Sequence, residues 1–281
     1  MQSLSDPGNK RGKIYKLDDL LTMILPLAEE TGDYTFGAQS HARYMVVHDQ
    51  PIAHAEDKQY ALYSEEGNQS GLNSLIFATS QIQADHIWAM NFFASAPFHL
   101  LPMLDPNLKT VGYGHYNESI GNFRMAGVLN VRSGLQMPPD ETISYPIMFP
   151  GDGKETWVLR HSLFEWPNSI PSCPSFSRPS GPPIVLMLGT GDITPNVKRF
   201  SIQENGKPVE TCMFNETNFS NPNPTEQSIG RSILNERDAI VLMPQNPLII
   251  NSIYLVEIEV DGELHSWAFT TRRGAVKAHL E

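Results

Sequence analysis

Apolar residues recur at helical spacing three times in the first half of the chain. Leu17, Leu20, Leu21 and Ile24 form one stripe, and Pro26 ends or kinks that helix. Ala38, Ala42, Met45 and Val46 form a second, with His41 and Arg43 beside or away from it. The third predicts a helix over Thr79 to Ala94, where Trp88 and Phe92 are one turn apart, as are Ile87, Met90 and Ala94, before Pro97 stops it. The pattern then changes to strands at Thr110–Tyr116 and Phe123–Val131, the second with Met125, Gly127, Leu129 and Val131 on one face. Helices before and beside a short antiparallel sheet predict an α+β fold, layered helix–sheet–helix.

After Gly134 the composition shifts. Gln136-Met137-Pro138-Pro139-Asp140-Glu141 reads as a linker, and no convincing helical period follows. Two hairpins are predicted from turn chemistry. Val197–Gln203 and Lys207–Phe214 flank Asn205-Gly206, while Tyr254–Val260 and Glu263–Thr270 flank Asp261-Gly262. Tyr254, Val256, Ile258 and Val260 alternate with Leu255, Glu257 and Glu259, as a half-buried strand does. Further strands are expected at Thr156–Leu159, Ile184–Leu188 and Ala239–Met243, and the set describes an all-β sandwich. The chain thus divides into a first region over 14–136 and a second over 142–275.

Composition narrows the function classes. A length of 281 residues suits two domains, and 40% hydrophobic residues indicate a packed globular protein. The formal net charge of −11, with no long basic run, argues against nucleic acid and anionic membrane surfaces as partners. No apolar stretch approaches the roughly 20 residues of a membrane span. The first ten residues lack an apolar signal-peptide core, which leaves a cytoplasmic protein or a processed secreted one. Cysteine usage favours the secreted reading: Cys173 and Cys212 suit one structural disulfide, the alternative being two buried thiols.

The most informative stretch is Trp88, then Ala94-Ser95-Ala96-Pro97-Phe98-His99, Leu104-Asp105-Pro106 and Val111-Gly112-Tyr113-Gly114. A tryptophan helix, a histidine at a proline turn and a Gly-x-Gly strand resemble the signature of the CAP superfamily, in its bacterial, SCP-like form. The end of the chain, Pro247-Leu248…Tyr254-Leu255-Val256 and Trp267-Ala268-Phe269-Thr270-Thr271, resembles bacterial immunoglobulin-like (Ig-like) modules. These resemblances imply a CAP-type α-β-α sandwich followed by an Ig-like sandwich, in a secreted protein.

The CAP resemblance also implies a cleft holding two histidines and an acid. His54, in Ile52-Ala53-His54-Ala55-Glu56, would be the first histidine and His99 the second. The acid would come from Ser64-Glu65-Glu66-Gly67-Asn68, with Glu66 the first choice and Glu65 its substitute. Asn91 stands where related proteins often have a further glutamate, so a four-ligand set is incomplete. Two imidazoles and a carboxylate suit a divalent metal (zinc or magnesium), or, without metal, a site where one histidine acts as a base near neutral pH. No nucleophile in a Gly-x-Ser-x-Gly setting accompanies them. His41, His48, His86 and His115 read as surface or core histidines. Trp88, Phe92, Phe93 and Phe98 read as core, or as an apolar wall for a lipid or sterol. Trp157, Trp166 and the Glu165-Trp166-Pro167 turn are expected at the junction of the two regions, with a sugar-binding platform as the alternative. Three functions follow: a binding module for a metal, lipid or small polar ligand; a metal-assisted extracellular hydrolase; and a structural surface protein.

Overall fold

The computed structural model describes residues 28–49 and 52–273. The expected Leu17–Ile24 helix and the outermost ends of the two predicted regions lie outside the described residues. The first half contains β1 (Glu29–Glu30), α1 (Gly32–His48), α2 (Glu65–Leu72), β2 (Ser74–Thr79), α3 (His86–Ser95), α4 (Pro97–Met103), β3 (Thr110–Asn117) and β4 (Met125–Asn130). Its sheet runs β1-β3-β4-β2, with β1 parallel to β3 and the other pairs antiparallel.

Helices cover both faces of this sheet, and the Gly-x-Gly strand explains how. Val111 and Tyr113 point to the side packed by Ala89, Met90, Phe93, Leu100 and Leu101 of α3 and α4. Gly112 and Gly114 point to the other side, where a Cβ would come within 2.2 Å of Tyr34 C and 2.1 Å of Gln39 N. Helix α1 therefore lies with its backbone directly on the strand, an approach only glycine permits. Ala38, Ala42, Met45 and Val46 of α1 pack on Ile76, Ala126 and Val128, as the second stripe predicts.

The third helix is shorter than its period suggests. Asp85 caps it by accepting from the Ile87 and Trp88 amides at 3.0 and 3.2 Å. Residues 74–79, just upstream, are instead strand β2, paired with β4 in the register Leu75–Leu129 and Phe77–Gly127. Pro97 does more than stop α3: it opens α4 from the first turn, where its missing N–H costs nothing.

The second half holds β5 (Ile147–Phe149), β6 (Glu155–Thr156), β7 (Ile184–Met187), β8 (Val197–Glu204), β9 (Lys207–Pro208), β10 (Thr211–Phe214), α5 (Pro224–Asn235), β11 (Ala239–Pro244), β12 (Ile253–Val260) and β13 (Glu263–Thr271). The strands form two sheets, β10-β11-β7-β5 and β6-β13-β12-β8-β9. The Asp261-Gly262 hairpin forms as predicted, in register from Ile253–Thr270 to Val260–Glu263. The Asn205-Gly206 hairpin forms only over β8 and β9; Thr211–Phe214 leaves it to pair with β11 in the other sheet. The apolar periodicity does not predict helix α5. Its signal is at its start, where Asn223 accepts from the Thr225 and Glu226 amides and Pro224 takes the first helical position.

Strands β7 and β11 are buried along their whole length. Ile184, Leu186, Ile240 and Leu242 face Ile202, Val256, Ile258, Trp267 and Phe269 of the other sheet. Their alternate neighbours Val185, Met187, Val241 and Met243 belong to the same cluster as Phe93, Phe98 and Leu101 of the first half. A sheet covered on both faces needs continuous apolar runs, as Ile184-Val185-Leu186-Met187 and Ala239-Ile240-Val241-Leu242-Met243 provide. The core thus runs across the proposed linker. Polar contacts follow it: Trp157 Nε1 donates to Asn91 Oδ1 at 3.0 Å, and Arg237 pairs with Asp105 at 3.0 Å. Phe98 packs its ring on Phe214 and Phe219.

Cys173 and Cys212 form a disulfide. Among the described residues no helix is long and apolar enough to cross a membrane.

Candidate functional site

The segment 53–56 is pinned between α1 and α2 by a buried pair. His41, fully buried in α1, places Nδ1 3.0 Å from Glu56 Oε1 and Nε2 3.0 Å from Ala53 O. Ala53 O can only accept, so Nε2 carries a proton. Glu56 Oε2 accepts from the Ser64 amide at 3.0 Å, and Asn68 Oδ1 accepts from the Glu56 amide at 2.9 Å. Helix α2 presents glycines here because nothing larger fits. A Cβ on Gly67 would sit 2.5 Å from Glu56 Oε1, and one on Gly71 would sit 2.5 Å from His41 Cε1.

This frame sets the orientation of His54. Its Nδ1 lies 2.9 Å from Gly71 O, an acceptor only, so the neutral ring carries its proton on Nδ1 and presents a bare Nε2. The His54 pKa is held below its ordinary 6.5, first by desolvation, against the Gly71 carbonyl, with further lowering by the positive fields of His41, His99 and Arg132. His54 and His99 are therefore within electrostatic reach of each other.

His99 sits in the first turns of α4, its ring edge-on to Phe92 at 4.8 Å and stacked on Phe93 at 5.8 Å. Its Nδ1 lies 3.4 Å from Oε2 of Glu165, which also accepts from the Phe98 amide at 3.1 Å. Glu165 is only 1% exposed. It belongs to the Glu165-Trp166-Pro167 turn expected at the junction, and there the carboxylate and Trp157 make the contacts. Trp166 itself is 47% exposed. His161 lies in the same buried neighbourhood: Glu165 and His99 both act on its charge.

The acid expected beside the two histidines has other surroundings. Glu66 is exposed, and its carboxylate meets neither histidine. Glu65, the substitute, is also exposed and accepts from Tyr63 Oη at 2.6 Å and Gln69 Nε2 at 3.2 Å. Both lie in the first turn of α2, where carboxylates favour the helix N-terminus over a cleft histidine. Among the described residues no group of three His, Cys, Asp or Glu side chains is arranged to hold a metal ion.

Glu56 and Glu165 are the acids that meet His41 and His99. Glu56 already stands two residues after His54, within the segment that marks the first histidine. Glu165 is 66 residues from His99, and no local pattern connects them. His41, read from the sequence as a surface or core histidine, is fully buried. No family model matches this chain, and no curated protein is significantly similar to it.

Proposed function

We propose that this chain is a secreted protein with a CAP-type first region and an Ig-like second region, acting as a binding module whose ligand-facing groups are His54 and His99. One observation carries the reading. Each imidazole commits Nδ1 to a protein acceptor, and among the described residues no partner meets either Nε2. Two imidazole Nε2 atoms without protein partners, within each other's field, suit a small polar ligand bearing hydroxyl or amine groups. The net charge of −11 favours amines over carboxylates.

The rest of the reading has its own support. Helices on both faces of the first sheet, and α1 lying on Gly112 and Gly114, fit a CAP-type sandwich. Two sheets facing one core fit an Ig-like region. The Cys173–Cys212 disulfide is consistent with an extracellular setting. The lipid alternative has less to draw on, because Phe92, Phe93 and Phe98 are spent on the buried core.

The test is NMR of the histidine side chains during titration with glucosamine, with a neutral hexitol and zinc chloride as comparators. The expected result is joint movement of the His54 and His99 resonances with glucosamine, abolished in folded His54→Ala and His99→Ala. Unmoved resonances overturn the reading. Turnover of an ester or peptide that disappears in folded His99→Ala replaces binding with hydrolysis.

A further inference from the structure

The second half of the chain contributes a buried carboxylate to the site that the first half displays. Glu165 reaches across 66 positions to His99 and is almost wholly removed from solvent. Its Oε2 accepts the Phe98 amide at 3.1 Å and meets His99 Nδ1 at 3.4 Å, while its Oε1 has no hydrogen-bond partner among the described residues. A buried carboxylate with one unsatisfied oxygen depends on the donors at the other. A bare Nδ1 lone pair facing Oε2 would add repulsion where compensation is already short. A protonated Nδ1 supplies a charge-assisted hydrogen bond instead.

We infer that Glu165 is a positioning residue for His99: it holds the imidazole as the Nδ1–H tautomer and so presents Nε2 as the hydrogen-bond acceptor. This rests on the reading of His99 as a ligand-facing group, although the tautomer is measurable without any ligand. Phe92 and Phe93 restrict the ring, and Glu165 selects which nitrogen is bare. The same arrangement holds at His54, where Gly71 O plays the part of the carboxylate. Both histidines then offer acceptors of one kind, and a ligand must bring the donors. The site is built by both halves of the chain, since neither His99 nor Glu165 reaches this state alone.

Long-range 1H–15N correlation spectra of the full chain, recorded well above the imidazole titration range, read the tautomer directly. Free histidine in water favours Nε2–H, so a predominant Nδ1–H form of His99 is not the default result. The inference expects that form in the unmodified chain, reversal toward Nε2–H in Glu165→Ala, and retention in Glu165→Gln, whose amide oxygen still accepts. A predominant Nε2–H form in the unmodified chain overturns it, as does an unchanged tautomer in folded Glu165→Ala. If Glu165→Ala does not fold, the tautomer of the unmodified chain decides. An Nδ1–H form without any glucosamine response keeps the positioning role and removes the binding-module reading.

Discussion

A buried histidine with poor hydrogen bonding makes folding sensitive to acid. His161 is fully buried, and among the described residues neither ring nitrogen closes a hydrogen bond of normal geometry. Burial is the largest cause holding its pKa below 6.5. The field of Glu165 and the nearby Ser95 backbone oppose the shift, while Arg178 and His99 reinforce it. The unfolded chain therefore takes up this proton first as pH falls, and stability is lost as pH drops below about 6.5, where histidine titrates unfolded. His54 and His115 are shifted in the same direction and add to the slope. Urea unfolding near neutrality and in mild acid is expected to show a smaller acid loss for His161→Leu than for the unmodified chain; parallel losses would contradict this. At the same scale, Gly71→Ala would press a methyl group against the buried His41 ring and the His54 carbonyl. It is expected to cost about 1–3 kcal/mol, as overpacking does, and to move the His54 resonances. An unchanged urea midpoint with unmoved resonances would contradict it.

At the scale of elements, strand β3 carries the clearest requirement. Gly112→Ala places a Cβ against main-chain atoms of Tyr34 and Thr35, which cannot rotate away as a side chain would. The expected loss is at least the ~1–3 kcal/mol of ordinary overpacking, read as a lower urea midpoint at unchanged slope. The Gly-x-Gly pattern, the α1 stripe and the Asp261-Gly262 hairpin are all legible in the sequence, because each depends on spacing within a few residues. Strand β2 was not, since Ser74–Thr79 gains its register only from β4. Helix α5 lacked a strong apolar stripe, with only Gly230 and Leu234 buried, so its capping residues were the better guide. The departure of Thr211–Phe214 from its hairpin depends on β11, about thirty residues further on.

For the molecule as a whole, the shared core has a direct consequence. Without the first half, Val185, Met187, Val241 and Met243 would form an exposed apolar face on β7 and β11. A fragment beginning at residue 137 is expected to bind a hydrophobic dye or aggregate, whereas the full chain should not. A monomeric fragment with no dye binding would show that this face is dispensable. The disulfide bears on the whole fold differently. Closing 39 positions of chain contributes about 3–4 kcal/mol in the chain-entropy account, so reduction should lower the urea midpoint without changing the arrangement at His99.

The α+β character, the helix stripe of α1 and the strands around Gly112 and Gly114 follow from the order of residues alone, as do the positions of His54 and His99 along the chain. Each is set by local sterics and by apolar period, which neighbouring residues carry. Which acids pair with histidines is decided by packing between distant segments. Glu56 closes on His41, Glu165 closes on His99, and Glu66 stays in solvent. Those pairings arise from burial and long-range docking, where the cost of an unpaired charge is settled by residues far apart in the chain.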